Sequence, residues 1–271
     1  MDDNMLPAAS NVSESLSDEL TIVEETRMEI TEALVLVGFP TIGLVSSIVA
    51  NHVIKQLDLK RIGYISSRFF IPTAVVIDGV PNPPVRIYGG DHVCGPEKKC
   101  QQVIVITSEF TPPPDTMDAL ANCILEWSAR KRSSTIISLE GINTPSDTAQ
   151  TEPSIFGVGS TLEARHMLKD FGVEQMSDGM VGGLSGVLLH KGSVSRRNVI
   201  SLLAETPANY PGARSAARTI EVLDHMLPLI KLDPKPLYKK ATEIENAIKD
   251  ALSKSRPQGE LGFSENNPAY S

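Results

Sequence analysis

Short, continuous apolar runs alternate with amphipathic stretches along most of this chain. The apolar runs lie at residues 33–37, 103–107 and 135–139, and stretches with helical spacing follow them at residues 41–57, 115–131 and 160–171. A strand that is apolar along its whole length is typical of a sheet covered by helices on both faces. The alternation therefore predicts βα units and an α/β fold, a three-layer sandwich with a mixed, mostly parallel sheet.

Residues 63–88 have a different pattern, which predicts antiparallel strands. The β-rich pieces TAVVI and VRIY are separated by Asp78-Gly79 and by a proline-rich segment at residues 81–84. Asp-Gly between apolar runs is a strong hairpin signal, so this region is expected to make the sheet mixed. Downstream, the pattern predicts a short helix at residues 184–193, a last buried strand at 198–204 and a long helix at 213–230.

Both ends of the chain are predicted to lie outside the packed body. Residues 1–19 are acidic and rich in Ser and Asn, which predicts a disordered N-terminal segment before an α/β domain at residues 20–232. Residues 233–254 begin with a proline-containing break and then carry an apolar stripe at helical spacing, which predicts a C-terminal helix. Residues 255–271 contain Pro and Gly and no apolar periodicity, which predicts a flexible tail.

Composition narrows the class of function. The 271 residues are 41% apolar and 21% charged, which is ordinary for a globular chain with a sizeable core. A net charge of −8 argues against broad binding to nucleic acids or anionic membranes. Residues 1–19 lack the features of a signal peptide, and no apolar run approaches the length of a membrane span. Three cysteines do not make a disulfide framework, so we expect a cytoplasmic protein in a reducing compartment.

Two glycine-rich turns are candidates for chemistry. Residues 38–43 (GFPTIG) lie at a strand-to-helix turn that could hold an anion, but Leu44 and Val45 stand where a Walker A loop needs Lys and a hydroxyl. NTP hydrolysis is therefore not expected. Residues 182–186 (GGLSG) invite comparison with a hydrolase nucleophile elbow, yet Val187 replaces its second glycine. A structural turn and a close-packed helix entry are the simpler interpretations.

Metal binding has one weak candidate in the sequence. The ligand-bearing residues are Asp91, His92, Cys94 and Cys100. The two cysteines are separated by five residues, and there is no second CxxC pair. We therefore interpret these residues as a polar hairpin tip and expect neither a metal nor a cofactor.

Three glutamates each follow a predicted buried strand, namely Glu109, Glu140 and Glu205. Side chains at that edge of an α/β sheet often line a ligand cleft, so they offer the best argument for an enzyme. The alternative function is thus a nucleoside- or phosphate-binding enzyme of phosphorylase-like fold that uses these glutamates. Because no base, nucleophile or metal ligand accompanies them, we assign no catalytic residue and expect no enzyme activity.

The last three residues, Ala269, Tyr270 and Ser271, offer three groups that a partner protein can bind. These groups are an apolar side chain, an aromatic ring with a hydroxyl, and the main-chain carboxylate. A narrow pocket with a cationic residue at its end could bind all three together. A flexible tail of 17 residues, 255–271, spans roughly 20–25 Å and could reach such a pocket away from the body.

Several segments together resemble the proteasome assembly chaperone family of the second-subunit type, in its single-chain archaeal form. The resemblance is carried by residues 34–57 (LVLVGFPTIGLVSSIVANHVIKQL), 74–80 (AVVIDGV), 183–189 (GLSGVLL) and 202–223 (LLAETPANYPGARSAARTIEVL). Each segment consists mostly of Gly, Pro and apolar residues, but the order and spacing of the segments match the family over about 190 residues. The resemblance implies a fold similar to purine nucleoside phosphorylases, a homo-oligomer and no catalytic activity.

The resemblance also implies a role for the tail. Some members end in a hydrophobic-Tyr-any tripeptide that inserts between α subunits of the proteasome core particle. Here that motif falls on Ala269, Tyr270 and Ser271, with Ala269 smaller than the usual Leu, Ile or Val. The resemblance therefore predicts a non-enzymatic, ATP-independent proteasome assembly chaperone or activator that docks its tail into the α ring.

Overall fold

A ten-stranded mixed sheet forms the middle layer of the chain. The structure is a computed structural model that describes residues 12–15, 20–26, 28–94, 100–143, 152–209 and 211–255. The strands are β1 Val12–Ser15, β2 Leu20–Glu24, β3 Ala33–Gly38, β4 Lys60–Ser67, β5 Val75–Ile77, β6 Val80–Asn82, β7 Val85–Cys94, β8 Cys100–Ser108, β9 Thr135–Asn143, β10 Ile155–Gly159, β11 Glu174–Gln175 and β12 Val199–Thr206. The helices are α1 Val45–Gln56, α2 Met117–Arg130, α3 Leu162–Asp170, α4 Gly183–Ser195, α5 Ala213–Met226 and α6 Lys235–Ser255.

The strand order is β1-β2-β4-β7-β8-β3-β9-β12-β10-β11, and β5 and β6 form a separate hairpin. The centre, β8-β3-β9-β12, is parallel, while the pairs from β1 to β8 are antiparallel. The predicted α/β fold with a mixed sheet is confirmed. The parallel share is smaller than predicted, because among the described strands of the ten-stranded sheet four neighbouring pairs are parallel and five are antiparallel.

Strand β3 shows why helices must cover both faces of the sheet. Leu34 and Leu36 point into the core beneath α1 and α5, whereas Val35 and Val37 point into the core beneath α2 and α4. Successive side chains of a strand point to opposite faces, so a continuous apolar run needs two cores. None of the described helices is both long and apolar enough to cross a membrane.

Strands β1, β10 and β11 differ from the sequence prediction. Val12–Ser15 lies within the segment predicted to be disordered, but it forms β1 and pairs antiparallel with β2. The sequence pattern does not predict strand β10, because two of its five residues, IFGVG, are glycines, which weaken the strand pattern. Those glycines allow close packing, since a Cβ at Gly157 would lie 2.4 Å from a methyl carbon of Leu168 in α3. Tertiary contact therefore selects residues that local propensity disfavours.

The cysteines also differ from expectation. Cys94 and Cys100 face each other across the β7–β8 hairpin and are joined by a disulfide, with their Cα atoms 4.7 Å apart. Cys94 and Cys100 are paired in the register of β7 with β8, which brings their sulfur atoms together. Cys123 is free and buried in α2, and burial raises the pKa of its thiol to about 12. That thiol is therefore protonated and unreactive at neutral pH.

Gly141 should be one of the least replaceable residues in the sheet. An added Cβ there would lie 2.0 Å from the backbone oxygen of Ile42, and backbone cannot move aside as a flexible side chain can. We expect Gly141→Ala to lower the free energy of unfolding by about 3 kcal/mol, as measured by denaturant unfolding. Gly182→Ala is the matched control, since its Cβ would meet nothing within 4 Å. Equal losses in the two variants would contradict this account of β9.

Candidate functional site

The predicted partner-binding residues Ala269, Tyr270 and Ser271 lie outside the described residues. The structure instead describes the helix that leads toward them, α6, and how its first half is fixed to the body. A second region of interest is a cavity at the carboxyl end of the parallel strands.

The start of α6 is tied to α1 through the backbone of Asp233. The Asp233 carbonyl lies 2.8 Å from Nε2 of His52, and its N–H donates to Oε1 of Gln56 at 2.9 Å. Pro236 follows as the second residue of the helix, where its missing N–H has no helical partner to lose. The prolines therefore define where the predicted C-terminal helix begins.

The first half of α6 packs against α5. Leu237 is buried in the core that α5 covers, and Ala241, one turn further along α6, is also buried. The Tyr238 hydroxyl donates a hydrogen bond to Oε1 of Glu221 at 3.0 Å. Desolvation, and to a smaller extent this hydrogen bond, raises the pKa of Tyr238 to about 12. Glu245 accepts two hydrogen bonds from the guanidinium of Arg214, at 2.9 and 2.8 Å. Apolar burial and these polar contacts hold the helix on the body.

The cavity has a volume of about 300 Å³ and lies beside the last residues of β3 and the second half of β9. Both glycine-rich motifs reach it, one from the turn before α1 and the other from the first turn of α4. This is the edge of an open α/β sheet at which ligands usually bind. The lining residues are Val37, Phe39, Pro40, Thr41, Ile42, Thr111, Pro112, Met117, Leu139, Glu140, Gly183, Leu184 and Ser185.

The turn at residues 38–43 is built as a structural connection. The Thr41 hydroxyl accepts from the N–H of Gly141 at 3.0 Å and hydrogen-bonds the Ser46 hydroxyl at 2.8 Å. Gly43 has a φ of 63°, and a Cβ there would lie 2.5 Å from Oγ1 of Thr206. Glycine is required here for both conformation and space. These contacts join β3, β9 and β12 at one point.

Glu140 is the residue of the cavity with chemical potential. Its half-buried carboxylate accepts a hydrogen bond from the Ser185 hydroxyl in the first turn of α4. Desolvation raises the pKa of Glu140 to about 7, although the Ser185 hydrogen bond acts in the opposite direction. Among the described residues that line the cavity, no other side chain titrates. A carboxyl group with this pKa can exchange a proton or pair with a cation at neutral pH.

The other two strand-end glutamates lie elsewhere and do not join Glu140. Glu109 forms a two-bond ion pair with the buried guanidinium of Arg86, one bond being 2.8 Å. Glu205 accepts from the backbone N–H of Ser154 at 3.3 Å, and its carbonyl accepts from the Ser215 hydroxyl at 2.6 Å. Both glutamates thus have structural partners. Of the three glutamates, Glu140 alone is among the described residues that line the cavity.

The candidate metal ligands are also engaged by the protein. Oδ1 of Asp91 accepts from the Gln102 amide at 2.8 Å, and Nε2 of His92 lies 2.9 Å from the carbonyl of Leu57. Cys94 and Cys100 bond to each other. Within the described ranges, no group of three or more metal-ligating side chains comes together.

Sequence reasoning missed the link between Glu140 and Ser185. Ser185 is not placed as a nucleophile, because it is buried, it hydrogen-bonds a carboxylate, and no histidine is among the described residues that line the cavity. The available signal was a serine in the third position of a helix entered from glycines. Its partner could not be known before α4 was placed over the end of β9.

Comparison with known proteins gives one consistent result. The family model described as PAC2 matches residues 35–252. Protein MJ0106 of Methanocaldococcus jannaschii is 32% identical over 248 residues, covering 89% of this chain and 97% of that protein. The crystal structure of Pyrococcus furiosus PbaA, described as an archaeal homolog of proteasome-assembly chaperone, is 30% identical, covers 87% of this chain and 92% of its own, and has a TM-score of 0.75.

A third comparison extends the likeness in fold. Pyrococcus furiosus PbaB, described as an archaeal proteasome activator, has a TM-score of 0.74 and covers 87% of this chain and 100% of its own. Its identity is 23%, so it supports the fold alone.

The raised pKa of Glu140 makes a prediction for stability against pH. Because the pKa is about 7 in the folded protein and 4.5 ordinarily, the native state loses stability as pH rises from 4.5 through 7. Glu140→Gln cannot ionise, so its stability relative to wild type should improve by on the order of 2 kcal/mol between pH 5 and pH 8. Urea unfolding at both pH values measures this difference.

The matched control for this experiment is Glu163→Gln, an exposed glutamate in the first turn of α3. Its stability relative to wild type should not follow the same pH dependence. If the difference between wild type and Glu140→Gln is the same at both pH values, the carboxyl group is not desolvated as described.

Proposed function

Because this chain belongs to the PAC2 family, the proteasome assembly chaperone family, we propose that it is a non-enzymatic, ATP-independent proteasome assembly chaperone or activator. The observation that carries the proposal is the likeness to PbaA, in sequence and in structure, across most of the chain. We place this function in the cytoplasm, together with the proteasome core particle. The enzyme alternative has less support, since Glu109 and Glu205 do not join Glu140 at one site.

The proposed partner site is the tripeptide Ala269, Tyr270 and Ser271, binding between α subunits of the core particle. Tyr270 would fill an aromatic pocket, and the carboxylate of Ser271 would pair with a cationic residue. Helix α6 supports this role, because its contacts with α5 fix the direction in which the chain leaves the body at Ser255. Sixteen positions, 256–271, then separate the body from the end of the sequence.

Self-association completes the proposal. One short peptide of this kind binds weakly, whereas several on one assembly raise their effective concentration and can strengthen binding by on the order of 10² to 10⁴ without new contacts. A homo-oligomer could in this way hold α subunits together during assembly or favour an open gate in a finished ring.

Two changes to the last residues of the tail should weaken binding to the proteasome core particle without affecting the folding of the body. Tyr270→Ala should weaken binding to purified proteasome core particle by about 2 kcal/mol per site, or roughly thirtyfold, because it removes a buried aromatic anchor. Adding one residue after Ser271 should be nearly as damaging, since it moves the carboxylate by up to about 3.5 Å. Binding and the peptidase rate of the core particle are the measurements.

The tail also allows a gain-of-function test and a matched control. Ala269→Leu should tighten binding by about 1 kcal/mol, or roughly fivefold, because it enlarges the apolar contact. Asn267→Ala lies two residues earlier and should leave binding unchanged. Every variant should keep the wild-type melting temperature. If all of them bind as wild type does, the tail is not the docking element.

Self-association is tested separately from docking. We expect light scattering at micromolar concentration to give a mass several times the 29.3 kDa of one chain. Tyr270→Ala should give the same mass, because the tail is proposed to contact the core particle and not the other subunits. A mass near 29.3 kDa would remove the avidity argument.

A further inference from the structure

The walls of the Glu140 cavity suit the apolar body of a small molecule. Its volume, about 300 Å³, lies at the lower end of the range for ligand pockets, roughly 300–1,000 Å³. Phe39, Ile42 and Leu184 are among the apolar residues that form most of the lining. The polar groups are few and lie together, with Glu140 hydrogen-bonded to Ser185. The polar groups can therefore bind one charged end of a ligand, while the apolar lining residues bury the rest of the ligand.

Glu140 lacks a cationic partner within the described part of the chain. Its pKa is shifted by desolvation and by Ser185, with no contribution from a neighbouring charge. An ionised carboxylate in such surroundings is costly unless a cation pairs with it.

Several charged groups on the surrounding elements are paired elsewhere or carry the same sign as Glu140. Lys191 of α4 pairs with Asp118 of α2 at 2.8 Å, and Glu205 of β12 accepts from Ser154. Asp115 lies before α2, and Glu109 after β8 pairs with Arg86. None of these groups lines the cavity. A ligand is therefore the natural source of positive charge.

Anionic ligands are disfavoured at the same place. The first turn of α4 would ordinarily attract a phosphate, but that turn already holds the carboxylate of Glu140 through Ser185. A phosphate would face this carboxylate in a mostly apolar enclosure, where like charges repel strongly. The hypothesis that the glycine-rich turns bind phosphate therefore loses support, because both turns line the cavity that contains the Glu140 carboxylate.

We propose that this cavity binds a small organic cation, a primary amine or amidine attached to an apolar group, with Glu140 as its counter-ion. Ser185 holds the carboxylate in position, and the apolar walls bind the body of the ligand. The site is independent of the tail, so its success or failure leaves the proteasome proposal untouched.

Binding should depend on pH in a defined direction. A cation binds the ionised form of Glu140, and the pKa of about 7 leaves only a minor fraction ionised at pH 6. We therefore expect the affinity for an amine to rise by about tenfold between pH 6 and pH 8, because the apparent affinity scales with the competent fraction. A neutral ligand of the same shape should show no such dependence.

The experiment compares benzylamine, benzyl alcohol and benzoate, which share a ring and differ in charge. The full chain is titrated with each compound and followed by NMR at pH 6 and pH 8. Benzylamine should bind most tightly at pH 8 and benzoate least. Glu140→Gln should lose about tenfold or more in benzylamine affinity and keep its affinity for benzyl alcohol. Glu163→Gln, an exposed charge on α3, should bind all three compounds as wild type does.

Three results would overturn the proposal. The first is that benzoate binds wild type as tightly as benzylamine does. The second is that Glu140→Gln keeps the full affinity for benzylamine at pH 8. The third is that benzylamine shows no saturable binding to wild type at millimolar concentration. The charge and pH comparisons use the wild-type chain, so they decide the question even if Glu140→Gln folds poorly.

Discussion

Burial of strand β3 on both faces is the constraint on which the rest of the structure depends. All six of its residues are buried, and the first five contribute alternately to two separate cores. One core requires α1, α3, α5 and α6, and the other requires α2 and α4. The apolar area of these cores is the main stabilising term of the fold. With both faces covered, function is left to the edges of the sheet and to segments outside it.

The carboxyl edge illustrates how close packing creates a site. Glycines at positions 43 and 141 let the turn after β3 lie directly against β9 and β12. That approach brings Glu140, in the second half of β9, under the first turn of α4, where Ser185 hydrogen-bonds it. Desolvation at this position explains the raised pKa of the carboxyl group. The same packing that stabilises the fold thus places an ionisable group where neutral pH changes its charge.

The two proposals for this protein use different parts of the chain and different physics. Docking to the proteasome would rely on a short peptide with an aromatic anchor and on multivalency. Contacts of Arg214 in α5 with α6, together with Tyr238 and buried Leu237 of α6, hold that helix on the folded body. The Glu140 cavity would rely on desolvation and charge pairing inside the body. Neither proposal assigns a nucleophile or a metal, and Ser185 serves to orient a carboxylate.

The sequence by itself determined the α/β class, the central buried strands, the hairpin at residues 75–82 and the start of the last helix, because apolar periodicity and proline placement are local signals. It also carried the family resemblance, since that rests on the order of several short segments. Only the tertiary structure decided that β1 and β10 are strands, that Cys94 bonds Cys100, and that Glu140 meets Ser185 while Glu109 meets Arg86. These pairings join residues whose contact depends on strand order and register, and a linear pattern of apolar and polar positions contains neither.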